Sequence, residues 1–475
     1  MISRTLRLLA AGLLATAIMP ASEMYRSINY GEMPAKEWAE TLGVDPAALE
    51  DSFASDGTVQ MKLLRSSIPS NVLYKGDKPE LEVQIVNLTE APVKRSFRVI
   101  TIAYETFTHP GDDVFRQGVR KIAEVGTADG VMEVPANGVQ HVMLQPIIPD
   151  RNGGYAVMIE MEGVPHRLFI TSLARSLQPD VQKRRFYKLV MDADHVDAGT
   201  LRRLGVAPNR ATLGGPQNPG DANAEARYQD FAGKLRRWAE AGLPICIEFG
   251  SPSWTGEIAP LGRNRPHLDD QGVMKDHVGD IVWMPTYDDH FAAFVKRMLV
   301  EYGWPKGPIN AVKIWNEPWN GSSISGWGAD DERFRELTIA MDKAVREARA
   351  EAGVDVLQGG ADSSSNSLDK YFSDGGNRFD SMFDFLSIHY QGTDPHTNWR
   401  AWRERKDADG KPNPVRFWDT ESWVANSEER VAGVLATMFS FGQDRAVGLA
   451  AHTSMALGFN RTVLQSNGRP MRDTD

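Results

Sequence analysis

The chain has 475 residues, 41% hydrophobic and 24% charged, and carries a formal net charge of −10. That length exceeds one ordinary core and predicts more than one domain, and the composition is that of a folded globular protein rather than a disordered one. The acidic balance argues against a nucleic-acid partner. The single cysteine, Cys246, excludes an intramolecular disulfide; it sits in the apolar run Pro244 to Phe249 and reads as a small buried hydrophobe.

In chain order, Met1 to Ser22 reads as a secretory signal peptide. Arg4 and Arg7 precede an apolar stretch from Leu8 to Met19, followed by the small residues Ala21 and Ser22. This predicts an exported, periplasmic or extracellular protein. No other apolar run has membrane-spanning length, so no membrane partner is expected. Residues 23–61 read as a partly helical lead-in. Residues 62–177 show short runs of period-two alternation, such as Leu81 to Val86, Phe97 to Ile102 and Ala156 to Met161. Alternation at that spacing predicts an antiparallel, immunoglobulin-like β-sandwich.

From 178 to 475 strand-like runs alternate with amphipathic helical ones. Strands are predicted over 186–190, 209–213, 245–249, 312–315, 356–359, 383–388, 415–418 and 446–450. Helices are predicted over 198–204, 223–241, 288–302, 331–352, 398–406 and 428–441, the second with Phe231, Leu235 and Trp238 on one face. Eight strands with helices between them have the size and rhythm of a (β/α)8 barrel, and no phosphate-binding glycine loop favours an open doubly wound sheet. The expected fold is therefore an α/β (β/α)8 barrel preceded by an antiparallel β-sandwich. Too few residues follow the eighth strand for a full outer helix, so irregular closure or an incomplete C-terminal end is expected.

Two glutamates stand where apolar, tryptophan-containing runs break into turns. One is Glu317, in Ala311-Val312-Lys313-Ile314-Trp315-Asn316-Glu317-Pro318-Trp319; the other is Glu421, in Val415-Arg416-Phe417-Trp418-Asp419-Thr420-Glu421-Ser422-Trp423. At the C-terminal ends of the fourth and seventh strands, both carboxylates would face one cleft. Cleavage of a glycosidic bond needs such a pair, one group to protonate the leaving oxygen and one to attack or assist at the anomeric carbon. The competing reading, two acids at helix starts favoured by the helix dipole, suits either glutamate alone better than both together.

Asn-Glu-Pro at a strand end with Thr-Glu-Ser well downstream resembles the clan GH-A retaining glycoside hydrolases on (β/α)8 barrels. With the sandwich, the pattern is most similar to family 39 and its relatives, which include xylosidases and iduronidases. The resemblance covers about residues 180 to 455. It implies Glu317 as acid/base, Glu421 as nucleophile and Asn316 as a contact to the sugar 2-hydroxyl. It also implies Arg210 as the group that keeps the nucleophile ionised, and a supporting role for His389 and Tyr390, with Tyr390 the first choice as hydrogen-bond donor to Glu421 and His389 behind it. The sequence departs from the clan at the eighth strand, where Gly448-Leu449-Ala450-Ala451-His452-Thr453 offers no stacking tryptophan.

All twelve tryptophans except Trp38 lie in this second region. Trp254, Trp319 and Trp423 read as cleft residues whose flat faces suit pyranose rings, while Trp315 and Trp418, inside strands, read as core. The long segment from Trp254 to Tyr287 carries Arg263, Arg265, His267 and Lys275, which would suit an anionic sugar or simply a solvated loop. Asp192, Asp194 and Asp197 lack the glycine and final glutamate of a calcium loop, and no zinc spacing occurs, so neither metal nor cofactor is expected. The expected activity is retaining hydrolysis of an oligo- or polysaccharide. A non-catalytic carbohydrate-binding protein on a degenerate barrel, or a transglycosylase using the same residues, are the alternatives.

Overall fold

The computed structural model of the chain describes residues 40–44, 54–108, 117–180, 183–191, 198–214, 221–250, 267–268, 274–275, 288–316, 331–363, 382–389, 404, 406, 409–412, 414–421, 436, 439–440 and 444–449. They fall into two compact units, one up to Gln178 and one from Pro179 to Leu449.

The first unit is built of β1 (Ala54–Ser55), β2 (Val59–Ser66), β3 (Val72–Leu73), β4 (Leu81–Asn87), β5 (Val93–Thr108), β6 (Gln117–Val134), β7 (Val139–Leu144), β8 (Gly153–Met161) and β9 (Leu168–Arg175). Alternation sets the buried face: in β4 every second side chain from Leu81 to Asn87 is buried. One sheet has the order β1-β2-β4-β7 and the other β3-β9-β8-β5-β6. All pairings are antiparallel except that of β3 with β9. Val59, Met61, Leu81, Val83 and Ile85 of one sheet share a core with Val99, Tyr155, Val157 and Leu173 of the other. Each fully buried side chain of this kind contributes about 1.5–3 kcal/mol. The opposite face of the five-stranded sheet packs Ile100, Ile102, Tyr104 and Met158 against Leu42 and Val44 of the lead-in.

The second unit contains β10 (Leu189–Met191), β11 (Ala207–Pro208), β12 (Arg210–Gly214), β13 (Ile245–Gly250), β14 (His267–Leu268), β15 (Met274–Lys275), β16 (Ile309–Ile314), β17 (Leu357–Ser363), β18 (Phe385–His389), β19 (Arg416–Glu421) and β20 (Ala446–Leu449). Its α-helices include α1 (Ala198–Leu204), α2 (Ala224–Glu240), α3 (Asp288–Tyr302) and α4 (Asp331–Ala352). β12-β13-β16-β17-β18-β19 form a curled, wholly parallel sheet. All six residues of β16 and all five of β18 are buried, as strands covered on both faces require. Helix α2 turns Tyr228, Ala232, Leu235 and Trp238 inward, so Leu235 and Trp238 of the expected face are buried while Phe231 is half-buried. Helix α3 buries Phe291, Val295, Met298 and Leu299.

The expected eight-fold α/β barrel is not what the described residues form. Six strands make the curled half-barrel, β11-β10-β20 form a separate three-stranded sheet, and β14-β15 a small antiparallel pair. A bridge between Trp418 and Arg445 joins β19 to the residue before β20. Strand–helix rhythm specifies parallel strands with helical cover, but closure depends on strand tilt and register stagger, which periodicity does not encode. Most of the helices expected over 398–406 and 428–441, the signal peptide and Asp192, Asp194 and Asp197 lie outside the described residues; of the first, Glu404 is in a bend and Lys406 in a β-bridge with Pro412 rather than a helix.

Along the curled sheet, Cys246, Ala311, Leu357, Phe385 and Trp418 form one apolar layer. Phe385 stacks on Trp418 with ring centroids 4.1 Å apart. Two residues further along the strands come Glu248, Lys313, Gly359, Ser387 and Thr420, so alternation places a polar layer above the apolar one. Gly359 is needed there: a Cβ would lie 2.0 Å from Cζ of Phe385.

Candidate active site

The polar layer leads to the C-terminal ends of the parallel strands, where ligand sites form in open α/β sheets. Arg210, at the start of β12, reaches up to this level. Its Nη1 donates to Glu248 Oε2 at 2.9 Å and to Asn316 Oδ1 at 2.8 Å, and its Nη2 donates to Glu421 Oε2 at 2.5 Å. The Arg210 and Glu421 side chains are only 10% and 12% exposed, so water screens this pair weakly. His389 ends β18 and is fully buried; its Nδ1 lies 3.7 Å from Glu421 Oε2 and its Nε2 3.5 Å from Arg210 Nη1.

Two local departures from regular geometry deliver these groups. In β19, Asp419 pairs with Ile388 but Glu421 with His389, so one extra residue enters the strand. Trp418 and Thr420 already face Phe385 and Ser387, and unbroken alternation would turn Glu421 away; the irregularity re-aims it toward His389. In the second, Trp315 adopts φ 61°, the left-handed region that a bulky residue enters at a cost of about 1–3 kcal/mol. Its N–H donates to the Phe249 carbonyl at 2.8 Å, and the reversal brings the Asn316 side chain to Arg210.

The electrostatics follow from burial and pairing. Burial pushes the Glu248 carboxyl up, but the charges of Arg210 and Lys313, with hydrogen bonds from Lys313 and Thr212, outweigh it and hold the group at about 2. Lys313 is fully buried and ion-paired with Glu248, and Thr212 Oγ1 donates to Glu248 Oε1 at 2.9 Å. Burial, then the cations Arg210 and Lys313, push His389 well below the ordinary histidine range, so its imidazole is neutral. The tautomer with its proton on Nδ1 satisfies both neighbours, facing N–H to Glu421 and the Nε2 lone pair to the Arg210 N–H.

Beneath Glu421 the backbone is clamped. Asn209 Nδ2 donates to the Thr420 carbonyl at 2.5 Å. The buried Arg445 guanidinium donates to the Asn209 carbonyl at 2.5 Å and to its side-chain oxygen, and lies 4.4 Å over the Trp418 ring. The hydroxyls of Ser387 and Thr420 also bond.

Of the residues expected from sequence, the fold therefore brings Arg210, Asn316, His389 and Glu421 together. Glu317, Tyr390, Trp254, Trp319 and Trp423 lie outside the described residues. Trp315 and Trp418 are buried. Sequence reasoning missed Glu248 and Lys313, although each interrupts an otherwise apolar strand, which is the signal that could have found them. It also missed Asn209 and Arg445, which carry no such mark. Among the described residues no group of His, Cys, Asp and Glu could hold a metal ion, and no helix is long and apolar enough to cross a membrane.

No family model matches the chain, and no curated protein matches it. Solved structures similar to it include three carbohydrate-active enzymes. A cycloisomaltooligosaccharide glucanotransferase from Paenibacillus sp., in complex with cycloisomaltoheptaose, is 10% identical over 79% of this chain and 51% of its own, with a TM-score of 0.28. A β-glucuronidase from Bacteroides uniformis is 11% identical over 70% of this chain and 36% of its own, with a TM-score of 0.24. A β-glucosidase from Listeria innocua is 12% identical over 25% of this chain and 16% of its own, with a TM-score of 0.16. The chain thus spans about half the length of the glucanotransferase and less of the other two. Similarity at this level carries no conclusion about fold or chemistry.

Proposed function

We propose that the chain is a retaining glycoside hydrolase of an oligo- or polysaccharide, with Glu421 as nucleophile and Glu317 as acid/base. The observation that carries this reading is the single Arg210 guanidinium bonded to both Glu421 and Asn316. Asn316 adjoins Glu317 in the chain, so this link supports a cleft shared by the two glutamates. In the first step a Glu421 oxygen bonds to the anomeric carbon as the bond from that carbon to the leaving oxygen breaks, and Glu317 gives that oxygen its proton. In the second, Glu317 takes a proton from water, the water oxygen bonds to the anomeric carbon, and the ester to Glu421 breaks. Arg210 balances the nucleophile's charge. Neutral His389 faces it with an N–H and adds no second cation. Trp254, Trp319 and Trp423 would offer faces to sugar rings, and export by the N-terminal segment would bring the protein to extracytoplasmic glycans.

The test is covalent trapping. The protein is incubated with a panel of 2-deoxy-2-fluoro aryl glycosides and the adduct located by peptide mass mapping. The expected product is one glycosyl ester on Glu421, and in a crystal structure the Glu317 and Glu421 carboxyls about 5–5.5 Å apart. An ester on another carboxylate, or an inverted anomer released from the parent glycoside, refutes the assignment.

A further inference from the structure

Glu248 and Lys313 lie one layer below the site, 2% and 0% exposed. Taking two ions out of water costs several kcal/mol each, and packed apolar residues of similar volume in their place are often as stable or more so. The rest of β13 and β16 would tolerate that exchange, since Ile247, Phe249, Ala311, Val312 and Ile314 are already core residues. Stability is therefore a poor reason for the pair, and its contacts supply a better one.

A guanidinium is a rigid planar fork. Arg210 Nη1 makes its two shorter bonds to Glu248 and Asn316, with the 3.5 Å contact to His389 Nε2 beside them, which fixes the plane and thereby the direction of Nη2 toward Glu421. Glu248 is itself held at both oxygens, Oε1 by Thr212 and Oε2 by Arg210 and Lys313. We propose that Glu248, braced and charge-balanced by Lys313, is a positioning residue that sets the Arg210 guanidinium so that it presents Nη2 to Glu421. This rests on Glu421 being the nucleophile. The ionic groups packed there among the described residues are Arg210, Lys313, Glu248 and Glu421, with neutral His389, and Asp419 and Arg445 buried beside the Glu421 backbone, three cations against three carboxylates. Removing Glu248 leaves an excess of one positive charge; removing Lys313 leaves an excess of one negative.

The experiment combines kinetics on the aryl glycoside that the wild type turns over best with crystal structures of the variants. Glu248→Gln is expected to lower kcat by about 100-fold with KM nearly unchanged, because a misplacement near 1 Å costs that much. The acid limb of its kcat/KM profile should move to lower pH by about one unit, that of Lys313→Met to higher pH by about one unit, and the double variant should return near the wild-type position. Glu248→Asp keeps the charge but withdraws it by one methylene, so kcat should fall with the limb in place; it also serves if the glutamine variant fails to fold. In crystals of either Glu248 variant the Arg210 guanidinium should leave Glu421 or Asn316. Acid limbs that stay fixed in both single variants, or Arg210 bonds that survive unchanged, overturn the proposal. Should the wild type cleave no glycoside, the functional reading fails by itself, and the crystallographic arm alone decides whether Glu248 positions Arg210.

Discussion

Replacing Arg210 with lysine tests the site most directly. The guanidinium makes three short hydrogen bonds through two nitrogens, at 2.5, 2.8 and 2.9 Å, to acceptors on three different strands or strand ends, besides the 3.5 Å contact to His389. An ammonium keeps the charge but not the fork, and on its single stem it can serve one carboxylate well. At least two charge-assisted bonds should be lost, each worth about 1.5–3 kcal/mol. Water replaces them poorly at side chains only 10% and 12% exposed. If about 3 kcal/mol of this loss is felt in the transition state, kcat/KM falls by roughly 100-fold. Arg210→Met should cost more, because it leaves both Glu248 and Glu421 without their shared cation, a defect worth about 3–5 kcal/mol in buried pairs. The assay is kcat/KM on an aryl glycoside beside a thermal melt of each variant. As an internal comparison, Arg98→Lys, at an exposed single-bond pair with Asp129, should match the wild type in both measurements. An Arg210→Lys enzyme within about fivefold of wild type, with an unchanged melting temperature, would place Arg210 among such surface pairs and refute the reasoning.

Two further outcomes follow from the geometry. Gly359→Ala would force a Cβ against the buried Phe385 ring, which cannot retreat from its stack on Trp418; overpacking of this kind costs about 1–3 kcal/mol. Differential scanning calorimetry should show the transition of the second unit lowered by several degrees, and an unchanged transition would remove the packing argument. For His389, the folded-state proton affinity is depressed by burial and by Arg210 and Lys313. Its neutral form therefore supports stability fully above the ordinary histidine range, and that support is lost as pH falls, because the unfolded chain takes up the proton first. Imidazole 15N NMR of the folded protein at pH 5.5 should show the neutral Nδ1–H tautomer, and a doubly protonated ring there would contradict the burial and charge assignment.

The readable parts of this chain are those where local pattern and tertiary environment agree. Helices α3 and α4 occupy the residues that a 3.6-residue period delimits, Asp288–Tyr302 and Asp331–Ala352, because a continuous apolar stripe must be buried whatever covers it. Glu421 stood out because it falls where an apolar, tryptophan-containing run breaks into a turn, whereas Arg210, Asn316 and His389 were picked out only by the resemblance to the clan GH-A hydrolases. Glu248 and Lys313 were legible only as charges out of place in apolar strands, since nothing local says that they face each other across β13 and β16. The bulge that turns Glu421 and the left-handed backbone at Trp315 leave no trace in residue type, since tryptophan is among the last residues expected at positive φ.

The amino-acid order by itself determined the alternation of the first unit, the buried parallel strands and amphipathic helices of the second, and the candidacy of Arg210, Asn316, His389 and Glu421. These depend on side-chain periodicity and on chemistry carried by single residues. Tertiary structure alone decided that the parallel strands form a curled six-stranded sheet beside a smaller three-stranded one rather than the expected eight-fold barrel. It alone decided that a buried glutamate–lysine pair lies under the site and that one guanidinium ties three strands together. Sheet curvature, register and the matching of buried charges arise from contacts between residues distant in sequence, and a one-dimensional pattern does not specify those contacts.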